Sequence, residues 1–132
     1  MDQNDEVSLI PVLSVSRPHD AIAFYERAFA ARTVRLDTVP DGTVFALLAV
    51  GRVQFEVTNG QDDTPSPDAC GGTTVRLSLT VHDPDAVAQS AVKAGAVLLH
   101  PIADQPYGWR QGRVVDPYGH HWMIGRPLES GA

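Results

Sequence analysis

Residues 13–30 read LSVSRPHDAIAFYERAFA, and residues 79–96 read LTVHDPDAVAQSAVKAGA. When the two stretches are laid over each other, residues of the same kind coincide at six positions with one constant offset. The six pairs are Leu13 with Leu79, Val15 with Val81, Pro18 with Pro84, Arg27 with Lys93, Ala28 with Ala94, and Ala30 with Ala96. Each stretch runs from an apolar strand pattern through a proline into a helical pattern. The repeat predicts two tandem copies of one structural unit.

Outward from this repeat, each copy continues into three further strand patterns separated by turn residues. In the first copy we expect strands at 9–16, 34–39, 43–50 and 52–58 around a helix at 20–31. In the second we expect strands at 75–81, 96–100, 110–115 and 120–125 around a helix at 86–94. The predicted fold class is α+β, with two tandem β-α-β-β-β modules that form a curled mixed sheet around a ligand cavity. We expect one domain over 1–132, with module 1 at about 8–59, a linker or exposed loop at 60–73, and module 2 at about 74–127.

Composition narrows the function classes. The chain has 132 residues, of which 43% are hydrophobic and 20% charged, so wholesale disorder is excluded. The formal net charge of −6 argues against binding to nucleic acid or to an anionic membrane surface, since both partners usually require a basic patch. No apolar stretch approaches the roughly 18 residues of a membrane helix. The acidic start MDQNDE is the reverse of a signal peptide, so we expect a cytoplasmic protein. The single Cys70 excludes an internal disulfide framework.

One strand in each module alternates strictly between apolar and polar residues. Residues 53–58 read VQFEVT, and residues 75–81 read VRLSLTV. Period-two alternation gives one apolar face, which must meet a helix, and one polar face that points away from it. That polar face is either a solvated surface or the wall of a concavity.

The motifs around the repeat identify a family. They are AFYERAF at 23–29, TVHDPD at 80–85, KAGA at 93–96, YGWR at 107–110 and DPYGHHW at 116–122. With these motifs, residues 9–127 resemble the vicinal oxygen chelate superfamily, which includes glyoxalase I, bleomycin-resistance proteins, fosfomycin-modifying enzymes and extradiol dioxygenases. Since that scaffold serves both enzymes and pure binding proteins, the resemblance implies the fold more strongly than the activity. It also implies a homodimer in which each pocket is built from both chains.

In the metal-dependent enzymes of this superfamily, four strand residues hold a divalent ion, and the resemblance assigns these four positions in the present sequence. They fall on Ile10, Glu56, Arg76 and Met123. Only Glu56 suits a hard divalent ion, because Ile10 has no donor atom and Arg76 is a fixed cation. We therefore expect no metal and no other cofactor. Arg76 either pairs with Glu56 in place of the metal or forms a surface pair of little consequence.

Several side chains are candidates for ligand contacts. Tyr107, Trp109 and Tyr118 lie in a Gly/Pro-rich loop, where they either stack on a flat ligand or close over the core or a dimer contact. Arg110 is either an anchor for a ligand anion or part of a structural salt bridge. The full set of predicted ligand-binding residues is Phe45, Glu56, Arg76, Ser78, His100, Tyr107, Trp109, Arg110, His121 and Met123.

Three functions stay open at this point. The first, which is favoured by the lost metal ligands, is a metal-independent binding protein that sequesters an antibiotic or aromatic metabolite and so gives resistance. Its ligand would be a planar aromatic or cationic molecule. The second is a lyase, isomerase or dioxygenase of the glyoxalase type, with a displaced metal or none. The third is a regulatory or accessory domain without a dedicated ligand.

Overall fold

The chain folds into two four-stranded sheets, each combined with one long helix. The computed structural model describes residues 6–129. Module 1 contains β1 (Val12–Val15), α1 (Pro18–Phe29), β2 (Arg32–Thr38), β3 (Val44–Val50) and β4 (Val53–Asn59). A short α2 (Pro67–Cys70) follows. Module 2 contains β5 (Arg76–Thr80), α3 (Pro84–Ala94), β6 (Val97–Asp104), β7 (Trp109–Val115) and β8 (His121–Pro127).

The two sheets have the same topology. Their strand orders are β1-β4-β3-β2 and β5-β8-β7-β6. In each, the first strand runs parallel to the last, and the remaining neighbours are antiparallel. The predicted α+β fold with two β-α-β-β-β modules is confirmed.

Strand boundaries differ most from the prediction at two edge strands, by three or four residues, and by one or two residues elsewhere. Strand β1 begins at Val12 rather than at residue 9. Strand β6 continues past His100 and through Pro101 to Asp104. Proline lacks the N–H that a sheet ladder requires, but an edge strand such as β6 tolerates it. The pairing of β6 with β7 shifts its register between His100 and Ala103, where the proline lies.

The helices cover one face of each sheet and pack against each other. Their apolar residues meet the inward side chains of the central strands, among them Leu48, Val57, Trp122 and Ile124, all buried. The alternation of β8 predicts this position for Trp122 and Ile124, and the prediction is confirmed. Burial of this apolar surface, with the edge contacts between Tyr25, Phe55 and Trp122, holds the modules together.

Asp116 is a buried carboxylate that joins the two modules. Its Oδ2 accepts hydrogen bonds from Tyr25 Oη in α1 and from Trp122 Nε1, the latter at 2.9 Å. Its Oδ1 accepts from the backbone N–H groups of Tyr118 and His120, both at 3.0 Å. Burial and the nearby carboxylate raise the pKa of Tyr25 well above its usual value, so the phenol remains a donor. The motif at 116–122 is therefore a structural joint.

The segment 60–73, expected to be a linker or exposed loop, is partly packed against this joint. The N–H of Asp68 donates to the carbonyl oxygen of Tyr118 at 3.0 Å, and Ser66 is buried. Gly119 has φ +90°, and a Cβ there would lie 2.8 Å from Pro67 Cβ. Tyr118 is 2% exposed, so of the alternatives stated for it the structure shows the one that closes over the core.

Two further findings concern the sequence predictions. Among the described residues, no helix is long and apolar enough to cross a membrane. The expectation of a cytoplasmic location depends on the acidic start MDQNDE, of which residues 1–5 lie outside the described residues.

Candidate functional site

Each sheet has an open face, defined here as the face opposite the helices. Pairing across the strands arranges its side chains in rows. In module 2 one row is Ser78, Met123, Arg113 and His100, from β5 to β6. In module 1 the topologically equivalent row is Val12, Glu56, Leu47 and Arg35. The same backbone positions therefore carry different chemistry in the two modules.

A cavity of about 390 Å³ lies on the open face of module 2. Strands β6, β7 and β8 and the loop between β6 and β7 form its walls. Its lining residues are His100, Pro101, Ala103, Gln105, Tyr107, Gln111, Gly112, Arg113 and Met123. The lining combines apolar, aromatic and hydrogen-bonding groups, which is typical of sites that orient a small organic molecule.

Hydrogen bonds to Gln111 fix the loop that bounds the cavity. Gln111 is buried, and its Oε1 accepts from Tyr107 Oη at 2.8 Å. Its backbone carbonyl oxygen accepts from Gln105 Nε2 at 2.9 Å. These bonds hold the ring of Tyr107 at the cavity although that side chain is 61% exposed.

Gly112 allows β6 to approach β7 closely beside the cavity. A Cβ at this position would lie 2.5 Å from the carbonyl oxygen of His100 and 2.7 Å from that of Pro101. Both obstacles are backbone atoms, so a larger residue requires the strand itself to move. The cavity wall depends on glycine here.

Arg113 is the charged residue of the cavity. Its side chain is half-buried, and its Nε has no hydrogen-bond partner within the part of the chain that the structure describes. Residues 6–129 also provide no salt bridge to its guanidinium. Desolvation, followed by the positive charge of Arg113, lowers the pKa of His121. Arg113 is not among the ligand contacts that the sequence analysis predicts.

The structure divides the ten predicted ligand-binding residues among several places. Three of them, His100, Tyr107 and Met123, line the cavity. Three more, Arg76, Ser78 and His121, lie on the same open face. In the sheet Ser78 pairs with Met123, and Arg76 pairs with His121. Phe45 and Glu56 lie on the open face of module 1, in the other sheet.

The two remaining predicted residues lie apart from the cavity. Trp109 is half-buried at the start of β7, in a strand rather than in the predicted loop, and is not among the lining residues. Arg110 binds Asp85 of α3 through Nε at 2.8 Å and Asp104 at 3.0 Å. Of the two roles stated for Arg110, the structure shows the structural salt bridge, which lies on the helix side of the sheet.

The four positions carried over from the metal-dependent enzymes do not fit a metal ion. Ile10 precedes β1 and has no donor atom, and Arg76 is cationic. Within residues 6–129, no group of three His, Cys, Asp or Glu side chains is placed to hold an ion. Among the salt bridges within residues 6–129 there is none between Glu56 and Arg76, which belong to different sheets. The ion-pair hypothesis for these residues is not supported.

A larger groove of about 900 Å³ lies between the modules. Residues 8–11, the turn between β3 and β4, and strand β5 line it. Its lining is mainly aliphatic, and Arg52 and His82 are the ionisable residues in it. Ser8, Gln54, Ser78 and Thr80 add hydrogen-bonding side chains to it, and Ser78 is one of the predicted ligand-binding residues.

Comparisons with known proteins agree with the geometry. The model of the glyoxalase-like domain family matches residues 11–124. An uncharacterized protein of Mycobacterium bovis is 39% identical, with 95% of this chain and 86% of that protein covered. The crystal structure of TioX from Micromonospora sp. ML1 superposes with a TM-score of 0.71 at 26% identity, covering 96% of this chain and all of TioX.

A third relative is TnmS3 from Streptomyces sp. CB03234, described as an antibiotic binding protein. It superposes with a TM-score of 0.69 over 92% of this chain and 97% of its own, and at 19% identity this likeness concerns the fold. Together with the repeat, the sheet topology and the motif at 116–122, these matches confirm the predicted resemblance. The chain belongs to the glyoxalase-like domain family, and its fold is that of a member of the glyoxalase/bleomycin resistance protein/dioxygenase superfamily from Sphaerobacter thermophilus.

Proposed function

We propose that this protein is a metal-independent binding protein that sequesters a planar aromatic small molecule, such as an antibiotic or an aromatic metabolite, in the cavity of module 2. The observation that carries the proposal is the cavity itself. It combines Tyr107, held in place by Gln111, with Met123 and Arg113, and these side chains can contact both the ring and the polar groups of a ligand.

The donor set supports binding rather than metal-assisted turnover. A catalytic metal typically has about three protein ligands, and the four family positions here supply one carboxylate. Binding without turnover is stoichiometric, so protection against a toxic molecule would depend on Kd and on the amount of protein. The description of TnmS3 as an antibiotic binding protein shows that this scaffold serves such a role elsewhere.

A homodimer is part of the proposal. Strands β1 and β5 each have one partner strand, so within residues 6–129 one edge of each is unpaired. Exposed apolar side chains cluster near these edges: Leu9, Val12, Val53 and Val75 are all more than half exposed. Unpaired edges flanked by apolar surface favour association with a second copy. Light scattering after size-exclusion chromatography measures the mass, and a monomer at micromolar concentration would contradict this part.

The test of the binding function uses a variant that fills the cavity. Ala103 is half-buried in the lining, so Ala103→Phe should remove the space that a ring would occupy, whereas Ala103→Ser should leave it. We expect planar aromatic compounds to bind the wild type and Ala103→Ser with similar affinity in calorimetric titrations. Binding to Ala103→Phe should be at least about tenfold weaker, which corresponds to about 1.4 kcal/mol.

Two results would contradict the proposal. Equal binding by wild type and Ala103→Phe would place the ligand outside this cavity. A ligand that is chemically altered when it is recovered and analysed by mass spectrometry would show turnover, and the protein would then be an enzyme of this superfamily.

A further inference from the structure

The open face of module 2 is positively charged although the chain as a whole carries a net charge of −6. Arg113 lies in the cavity, and Arg76 lies on the same face beside His121. None of the nine described residues that line the cavity carries a carboxylate. The local field at the cavity therefore has the opposite sign to the net charge, and it attracts anions.

The carboxylates of module 2 are all engaged elsewhere. Asp83 caps α3 by accepting from the N–H of Ala86, and Asp116 is bound to Tyr25 and Trp122. Asp85 and Asp104 both bind Arg110. No acidic residue of this module is left to neutralise Arg113.

Leaving a guanidinium N–H buried without an acceptor is costly. A buried hydrogen-bond donor without a partner loses the hydration that it has in the unfolded chain. Module 1 avoids this cost, because the equivalent position in its row is Leu47. Its own open-face arginine, Arg35, is exposed and bound to Asp37 at 2.8 Å. An unpaired donor held in a cavity is a common feature of binding sites, where the ligand supplies the acceptor.

We infer that the cavity takes an aromatic ligand that bears a carboxylate or an equivalent planar anion, and that Arg113 is its anchor. This inference rests on the proposed binding function and specifies the class of ligand. A guanidinium is a planar fork of N–H donors that pairs with both oxygens of a carboxylate, and such charge-assisted bonds are the strong ones. The ring of the ligand would then lie against Met123 and Tyr107, and a cationic ligand would be rejected.

The experiment compares three ligands of one shape and three charges: 2-naphthoate, 2-naphthamide and 2-naphthamidinium. Calorimetric titrations use the wild type and Arg113→Leu, which places the side chain of module 1 in module 2. Arg113→Gln serves as a second variant that keeps a polar side chain, and Arg35→Leu is the matched control on the equivalent face. Circular dichroism verifies that each variant is folded.

We expect the wild type to bind the naphthoate about ten- to a hundredfold more tightly than the amide, the range that hydrogen bonds to a charged group provide. Arg113→Leu and Arg113→Gln should bring the naphthoate to the affinity of the amide and leave amide binding unchanged. Arg35→Leu should behave as the wild type.

The other outcomes separate this inference from the binding function. Equal binding of naphthoate and amide by the wild type, or a preference for the amidinium, would overturn the anionic ligand class and leave the binding function standing. No binding of any of the three at millimolar concentration would overturn both. Naphthoate binding that appears only in Glu56→Gln would identify Glu56 of a second copy as the partner of Arg113, and that too would overturn the inference.

Discussion

The two modules share a topology and differ in what their open faces carry. Strand pairing puts Glu56 and Leu47 of module 1 at the positions of Met123 and Arg113 of module 2. In module 1 the arginine of the row is exposed and ion-paired, whereas in module 2 it is half-buried and unpaired among the described residues. The two modules therefore share their strand order, and the cavity that contains Arg113 lies in module 2.

Asp116 holds the two modules together. Asp116 accepts four hydrogen bonds, from Tyr25, Trp122 and the backbone N–H groups of Tyr118 and His120, and none of these residues lines the cavity. Its position leaves the open face of module 2 without a carboxylate. The difference between the modules therefore depends on both faces of the sheet.

The largest expected effect comes from removing this joint. Asp116→Ala leaves Tyr25 Oη, Trp122 Nε1 and two backbone N–H groups buried without their acceptor, so the free energy of unfolding should fall by about 3 kcal/mol or more. Urea denaturation measures the change. Asp104→Ala, which removes an exposed partner of Arg110, is the control and should cost less than about 1 kcal/mol. If Asp116→Ala also lowers the free energy of unfolding by less than about 1 kcal/mol, the carboxylate does not join the modules.

The next effect tests the close approach of β6 to β7. The position equivalent to Gly112 in module 1 is Ala46, which is buried without a clash. Gly112→Ala should lower the free energy of unfolding by about 1–3 kcal/mol, because the new methyl group meets backbone atoms. It should also weaken binding in the cavity. The exchange in the other module, Ala46→Gly, should cost about 1 kcal/mol or less. Equal costs for the two variants would contradict the role assigned to Gly112.

Arg113 provides a smaller effect of opposite sign. Replacement of a half-buried, unpaired arginine by the leucine of module 1 removes an unsatisfied donor, so Arg113→Leu should raise the free energy of unfolding by about 1 kcal/mol. Arg35→Leu, which breaks an exposed ion pair, should give no such gain. A loss of stability in Arg113→Leu would mean that the guanidinium is satisfied in the folded protein.

The smallest effect is the pH dependence contributed by His121. Desolvation and the charge of Arg113 lower its pKa, with further lowering from His120 and Arg76 and an opposing contribution from Asp116. Between this lowered pKa and the usual value of 6.5, the unfolded chain binds more protons than the folded one. Stability must therefore fall as the pH is lowered through that window. His121→Asn should flatten the fall measured by thermal unfolding, and the exposed His19→Asn is the control. An unchanged slope in His121→Asn would contradict the assignment.

Much of the fold could be predicted because its signals are local. The repeat at 13–30 and 79–96, the alternation in β4 and β5, and the turns between strands all depend on neighbouring residues. The boundaries of β1 and β6 could not be predicted as well, because edge strands end where their partner stops pairing. Pro101 illustrates this, since only the place of β6 at an edge makes it acceptable.

The candidate site was predicted only in part, for a similar reason. Parity along β8 placed Met123 on the open face, but Arg113 between Gly112 and Val114 has the pattern of any solvated strand arginine. Its partial burial and the lack of an acceptor for its Nε are tertiary features, which the neighbouring residues in the sequence do not reveal. The sequence predicts a loop at Trp109, where an aromatic side chain favours ligand binding, whereas Trp109 belongs to β7. Arg110 lies in the predicted strand, but its salt-bridge partners Asp85 and Asp104 come from other elements, which the sequence does not reveal.

If Arg113 holds an anionic aromatic ligand in module 2, its own Nε–H group must sense the binding. Nitrogen-15 NMR of the arginine Nε–H groups during a 2-naphthoate titration follows that atom. We expect a large, saturable shift of the Arg113 Nε resonance, with the Arg35 resonance unchanged. A saturable shift confined to Arg52, in the groove between the modules, with Arg113 unmoved, would contradict it.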